Sequence, residues 1–261
     1  MSLDKQAVIN RKKELSQLFE TNRDHDFFVT FTSRNSWPIS SKQDRQHLLI
    51  LDSSFNPPTK AHAKLIEASL SAYTDGYFDN ILLLFSINNA DKALTGASIL
   101  ERAQMMEILA RQFEQYSIAV GFTHHGKFVD KAVSIEAWLS KQTSCKIELY
   151  FILGYDTITR LLDPKYYDGV PVETALGPFF NTCRLVCADR GGNANEQDLF
   201  WKKVYQKYRS DIFKRIQLDS TTCQLSSTLA REAIACQDKK VEAILSDDMI
   251  EFIKQYQLYY R

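Results

Sequence analysis

Long apolar runs are missing from this chain of 261 residues. None approaches the roughly 20 residues that a membrane-spanning helix needs, so no membrane role is expected. Near the start, Lys5, Arg11, Lys12 and Lys13 are not followed by an apolar stretch, and no secretory signal is read there. A net charge of one sign is missing as well, because 32 basic residues balance 32 acidic ones. A general electrostatic footprint for nucleic acid is therefore absent, and no nucleic-acid partner is expected. Cysteine is sparse and odd in number: five residues, Cys145, Cys183, Cys187, Cys223 and Cys236, without paired C-x-x-C spacing. That count argues against a disulfide framework or a zinc ribbon and favours a reducing compartment, cytoplasmic or nuclear. Cys183 and Cys187, four apart in a strand-like run, read as core packing on one face. The chain also lacks an internal repeat, a low-complexity tract, and the glycine spacing of a Walker A loop or a dinucleotide fingerprint.

What is present is ordinary globular composition, 44% hydrophobic and 25% charged, in a length that suits one large α/β domain or one domain with an appendage. Residues 1 to about 46 stand apart as an N-terminal extension: an amphipathic helix over Ala7–Phe19, a strand over Phe27–Thr32, and a serine-rich loop up to Asp44. This extension is a candidate surface for a protein partner, and a homo-oligomer is also left open. From 47 to 261 the pattern alternates. Strands are expected at His47–Asp52, Asn80–Ser86, Ser117–Phe122, Lys146–Leu153, Arg184–Ala188 and Asp211–Leu218. Helices are expected at Ala61–Tyr73, Ser98–Tyr116, Val129–Lys141, Asp156–Leu162 and Asp198–Tyr208. Runs such as Ile81-Leu82-Leu83-Leu84-Phe85 are apolar on both faces, as in a parallel sheet covered by helices. The expectation is a doubly wound, mainly parallel α/β fold with ligands bound outside the carboxyl ends of the strands.

Two segments fall where that rule puts chemistry. Ser53-Ser54-Phe55-Asn56-Pro57-Pro58-Thr59-Lys60-Ala61-His62 follows the first strand of the main domain and opens a helix. Leu225-Ser226-Ser227-Thr228-Leu229-Ala230-Arg231 opens another helix far downstream. A helix start delivers backbone N–H groups and a partial positive charge to one point, which suits phosphate. Ser227 and Arg231, four apart, share a helical face. For each segment taken alone, a plain capped helix is the competing reading. His124-His125 could suggest a metal, but no carboxylate or cysteine is spaced to complete a site, and a solvated loop is the simpler reading.

The first segment resembles the (H/T)-x-x-H signature of the nucleotidyltransferase α/β-phosphodiesterase superfamily, in the S-F-N-P-x-T-x-x-H form of nicotinamide mononucleotide adenylyltransferases. The second resembles the same superfamily's S-S-T-x-x-R. Several further segments are similar to elements of that family: Asn89-Ala90-Asp91-Lys92, Arg102 with Met105-Met106, Phe128-Val129-Asp130, Gly154-Tyr155-Asp156, the strand ending in Arg190, and a closing helix over Ile244 to Tyr260. The resemblance leaves the first 46 residues uncovered and departs from the family at three places. Ser53 stands where glycine is usual, and Cys223 stands where asparagine often precedes S-S-T. No tryptophan follows the third strand, so Phe122, Phe128 or a tyrosine would have to serve the second substrate.

The resemblance implies an enzyme that joins nicotinamide mononucleotide to the α-phosphorus of ATP, making NAD and releasing pyrophosphate, with Mg²⁺ arriving on ATP. His62 and Arg231 are then the catalytic candidates. Nucleotide contacts would come from Ser53, Ser54, Phe55, Thr59, Lys92, Gly154, Asp156, Arg190, Ser226, Ser227 and Thr228. Within that set, Gly154 would allow close backbone approach, Asp156 would accept hydrogen bonds from a ribose or base, Lys92 would contact phosphate, and Arg190 would lie near the nucleotide or phosphates. No protein residue is expected as a dedicated metal ligand. The rival readings keep the fold. One is an adenylyltransferase for another phosphate acceptor. The other is an ATP-binding or ATP-hydrolysing protein that acts mainly through protein contacts.

Overall fold

The computed structural model describes residues 5–39, 45–87, 96–189 and 191–260. The chain begins with α1 (Lys5–Thr21) and β1 (Phe27–Thr32). Alternation then follows through β2 (Arg45–Asp52), α2 (Lys60–Ser71), β3 (Asn80–Ser86), α3 (Ile99–Arg111), β4 (Ser117–Thr123), α4 (Phe128–Gln142), β5 (Lys146–Gly154) and α5 (Tyr155–Leu161). The second half adds α6 (Val172–Thr182), β6 (Cys183–Ala188), α7 (Ala194–Lys207), β7 (Phe213–Ile216), α8 (Ser220–Gln224), α9 (Ser227–Ala235), α10 (Val241–Ile244) and α11 (Asp247–Gln255).

Seven strands form one sheet in the order β1-β4-β3-β2-β5-β6-β7. All neighbours are parallel except β1, which pairs antiparallel along the β4 edge. Alternation within the strands divides the core. Leu48, Ile50, Leu82 and Leu84 face a cluster shared with α4, α6 and α7, while Leu49, Leu51, Ile81, Leu83 and Phe85 face one shared with α1, α2 and α3. Both faces are thus covered, which is why these strands read as unbroken apolar runs. Cys183 and Cys187 are buried free thiols on the same face.

The N-terminal segment is built into this architecture. Leu15 is fully buried in the α1–α3 layer. Arg11 reaches Glu107 of α3 with its Nε and a terminal nitrogen at 2.8–3.2 Å, and that terminal nitrogen also donates to the Thr30 carbonyl at 2.7 Å. Among the described residues no helix is long and apolar enough to cross a membrane.

Three departures from the sequence reading have physical causes. Helix α6 carries Pro178 inside it, a residue that reads as a breaker, yet Val172, Leu176, Phe179 and Phe180 bury one face and hold it helical. The helix expected over Ser98–Tyr116 stops at Arg111, where Gln112 closes the last turn. The closing helix expected over Ile244 to Tyr260 is shorter, Asp247–Gln255: Ile244 ends the separate α10, and Ser246 starts the new helix with Asp247 and Asp248 in its first turn. Past Gln255 the backbone turns back through left-handed conformations at Gln257 (φ 51°) and Tyr259 (φ 68°). Helices α9 to α11 and this tail form a third apolar cluster against Ala97 and Met105.

Candidate nucleotide site

The direction of strand order reverses between β2 and β5, and a cavity of about 300 Å³ opens at their carboxyl ends. Ser53, Thr59 and His62 line it from the β2–α2 side, Gly154 and Asp156 from the start of α5, and Ser226 and Ser227 from the start of α9. Seven of the thirteen site residues expected from sequence therefore share one cleft. Lys92 and Arg190 lie outside the described residues.

Thr59 caps α2, and His62 closes a capping box on it. The Thr59 backbone N–H donates to His62 Nδ1 at 3.0 Å. Nδ1 must then present its lone pair, so a neutral ring carries its proton on Nε2. Nε2 points toward the cavity and meets the Ser53 hydroxyl at 3.0 Å. Burial pushes the imidazole pKa down to about 4, so the ring stays neutral and Nε2 stays a donor across the physiological range. Behind it, Phe55 is fully buried with its ring 5.3 Å from the imidazole. The Phe55 side chain is therefore a core residue backing His62 and does not line the cavity as the sequence reading expected. Its backbone is left-handed at φ 45°, a strained conformation for a bulky residue.

Helix α9 starts with its own cap: the Ser226 hydroxyl accepts from the Leu229 N–H at 3.1 Å. The Ser227 hydroxyl donates to the Pro57 carbonyl at 2.8 Å, and Arg231 donates to the Asn56 carbonyl at 2.7 Å. These bonds span 170 and 175 residues of sequence and join the two motifs directly. Arg231 also donates to Thr228 Oγ1 at 3.1 Å, so Thr228 supports the guanidinium instead of lining the cavity. Ser54 is exposed, and its carbonyl accepts from Arg102, whose Nε holds the Ala97 carbonyl at 2.9 Å. Gly154 caps α5 with open space where a Cβ would stand, so a ligand can approach the backbone there. Asp156 sits in the first turn of α5.

Sequence reasoning missed two ionic elements whose carboxylate residues, Asp52 and Asp189, line the cleft. Asp52, at the end of β2, forms a buried pair with Lys131 of α4, whose ammonium also lies 5.1 Å from the centre of the Phe128 ring. Asp189, at the end of β6, has both carboxylate oxygens engaged, by Trp201 Nε1 at 2.9 Å and Arg215 Nε at 2.7 Å. A carboxylate ending an apolar strand was the available signal in both cases. Of the aromatics considered for a second substrate, Phe122 is fully buried and stacked on Phe28, so it cannot serve. Phe128 is half-buried at the start of α4.

The arrangement offers one imidazole donor, two helix starts and hydroxyl groups around a shared space, which suits a polyphosphate. Among the described residues no three His, Cys, Asp or Glu side chains gather as a metal cage.

Comparison with known proteins accords with this geometry. No protein-family model matches the chain. A Schizosaccharomyces pombe protein provisionally named nicotinamide mononucleotide adenylyltransferase is 31% identical over 224 residues, covering 81% of this chain and 86% of the relative. A Shewanella frigidimarina protein provisionally named nicotinate-nucleotide adenylyltransferase is 23% identical over 221 residues, covering 80% and 98%. Among solved structures, Plasmodium falciparum nicotinic acid mononucleotide adenylyltransferase complexed with NaAD superposes with a TM-score of 0.61 at 18% identity, covering 82% of this chain and 97% of that one. At that identity the superposition speaks for the fold alone.

Proposed function

Since the chain belongs to the nicotinamide mononucleotide adenylyltransferase family, we propose that it transfers the adenylyl group of ATP to nicotinamide mononucleotide, giving NAD and pyrophosphate. A phosphate oxygen of the acceptor attacks the α-phosphorus in line. The new O–P bond forms as the bond to the β-phosphate oxygen breaks, and pyrophosphate carries away the electron pair. The nucleophile is already an anion, so no general base is required. Alignment and stabilisation of building negative charge are what the protein supplies.

The observation that carries this reading is the direct tie between the two helix starts, Ser227 to Pro57 and Arg231 to Asn56, beside the cleft that His62 and Ser227 line and whose lining Arg231 itself does not join. His62 Nε2–H would exchange the Ser53 hydroxyl for a phosphate oxygen. Arg231, a planar guanidinium fork, would add its remaining N–H groups to the leaving pyrophosphate side. Ser226, at the start of α9, would add its hydroxyl proton, and Ser227, whose hydroxyl holds the Pro57 carbonyl, would add its backbone N–H. Gly154 and Asp156 would receive the nucleoside portion at α5. Asp52 and Asp189 are engaged by Lys131 and by Trp201 with Arg215, so Mg²⁺ would come in with the triphosphate, held by phosphate oxygens and water. Its contribution is to neutralise phosphate charge.

Incubating the pure protein with ATP, Mg²⁺ and nicotinamide mononucleotide tests the proposal, with NAD and pyrophosphate as the expected products. A second reading keeps the chemistry and changes the acceptor to the deamidated mononucleotide, because one sequence relative and the structural neighbour are named for nicotinate substrates. Competition between the two acceptors, followed by pyrophosphate release, decides between them.

A further inference from the structure

The chain end reaches the middle of the first motif. Tyr259 donates its hydroxyl to Asn56 Oδ1 at 2.8 Å across 203 residues of sequence. The same amide oxygen accepts from the Ala97 N–H at 3.3 Å, where the segment entering α3 begins. Around this point the packing has no slack. A Cβ on Gly96 would stand 2.8 Å from Asn56 Oδ1 and 3.0 Å from the Tyr259 ring. Asn56 is buried, and its backbone carbonyl is the atom Arg231 grips. One residue therefore joins the turn that presents His62, the guanidinium of the second motif, the lead into α3 and the C-terminal tail.

The tail is held there against its own backbone preference. Gln257 and Tyr259 are both left-handed, a state that side-chain-bearing residues keep only when surrounding contacts over-determine it. Leu258 N–H returns to the Ile253 carbonyl at 3.0 Å, and Tyr259 packs in the apolar cluster of α9 to α11. Ring burial alone would anchor the tail. The hydroxyl contributes something separate: a directed bond that fixes the Asn56 side chain, and through it the spacing between the two phosphate-facing elements.

We propose that Tyr259 is a positioning residue for ATP, acting through Asn56 to hold the His62 turn and Arg231 at the separation a triphosphate requires. The proposal rests on the ATP site described above and adds the segment after α11 to its machinery. A misplacement on the order of 1 Å between elements that grip one ligand can cost on the order of 100-fold, so loss of this single bond is expected to cost about tenfold on the ATP side.

The test is a double-variant cycle on the full chain. Tyr259→Phe removes the hydroxyl and keeps the ring, and Asn56→Ala removes the amide. ATP affinity is read by titration calorimetry, alongside KM for each substrate, kcat and the melting temperature. The expected result for Tyr259→Phe is an ATP dissociation constant raised about tenfold, with the acceptor KM and melting temperature nearly unchanged. The double variant should bind ATP no worse than Asn56→Ala alone, because the hydroxyl acts through that amide. Wild-type ATP affinity in Tyr259→Phe, or losses that add across the cycle, overturns the proposal. A tail that only supports the fold would instead lower the melting temperature and weaken both substrates together. If wild-type protein binds ATP but adenylylates no acceptor, calorimetry still decides the role of Tyr259 while the proposed reaction falls.

Discussion

His62 does two jobs that one substitution pair can separate. Its Nδ1 accepts the Thr59 N–H and completes the cap of α2, while its Nε2–H faces the cavity. His62→Ala removes both. The lost cap costs about 1 kcal/mol, which for a domain of this size lowers the melting temperature by about 2–4 °C. The lost donor is the larger effect on rate: removing one preorganised donor from developing charge costs about 3–4 kcal/mol, or roughly a hundredfold to a thousandfold in kcat. His62→Gln divides the two, because glutamine at this third helical position is an ordinary capping-box partner and can accept the Thr59 N–H. Its amide nitrogen lacks the fixed ring geometry that holds Nε2–H toward Ser53 and the cavity. The account therefore expects His62→Gln to melt within about 1 °C of wild type while staying at least about a hundredfold slow. Thermal melts by circular dichroism and steady-state pyrophosphate release measure the two quantities on the same preparations. Wild-type turnover in His62→Gln, or turnover in both variants that tracks stability alone, would refute the assignment of Nε2 as the phosphate donor.

Further expectations follow from the same contacts. Arg231→Lys keeps the charge but loses the fork shared between Asn56 and Thr228, and turnover should fall about a hundredfold with little change in circular dichroism. The pH dependence of stability carries a sign. The folded His62 titrates near 4, below the ordinary histidine value, so between about pH 6.5 and 4 the unfolded chain binds a proton that the folded chain does not. This contribution is fully present above that window and is lost as pH falls through it, up to about 3 kcal/mol, and His62→Gln should abolish it in denaturant titrations. Burial, only partly offset by the Arg11 guanidinium, holds the Glu107 carboxyl above its ordinary range. Breaking the pair with Arg11→Met should then destabilise by about 3 kcal/mol, because it strands a buried acid. A loss under about 0.5 kcal/mol in guanidinium unfolding would mean that α1 is an appendage after all.

How much of this was legible in the chain depends on the kind of information. Strands Asn80–Ser86 and Phe27–Thr32 could be read to the residue, since strand burial is written as apolar runs bounded by turn residues. Both helix starts at the cleft were legible for the same reason, because caps are local. Partners that only tertiary folding brings together were not. Nothing local says that Phe55 would turn inward behind His62, that Arg231 would grip the Asn56 carbonyl, or that Tyr259 would return from the terminus to the same residue. No local pattern marks Lys131, which is buried against Asp52. Helix α6 was hidden by Pro178, whose local cost is outweighed by the apolar face around it.

The central claim is that two distant helix starts hold one triphosphate for attack at its α-phosphorus. ATP labelled at the α-phosphate, incubated with Mg²⁺, nicotinamide mononucleotide and the pure protein, tests it most directly. The account predicts that the label moves into NAD and that unlabelled pyrophosphate appears in equal amount. Label recovered only in ADP or AMP, with no dinucleotide from either the amidated or the deamidated acceptor, would contradict it.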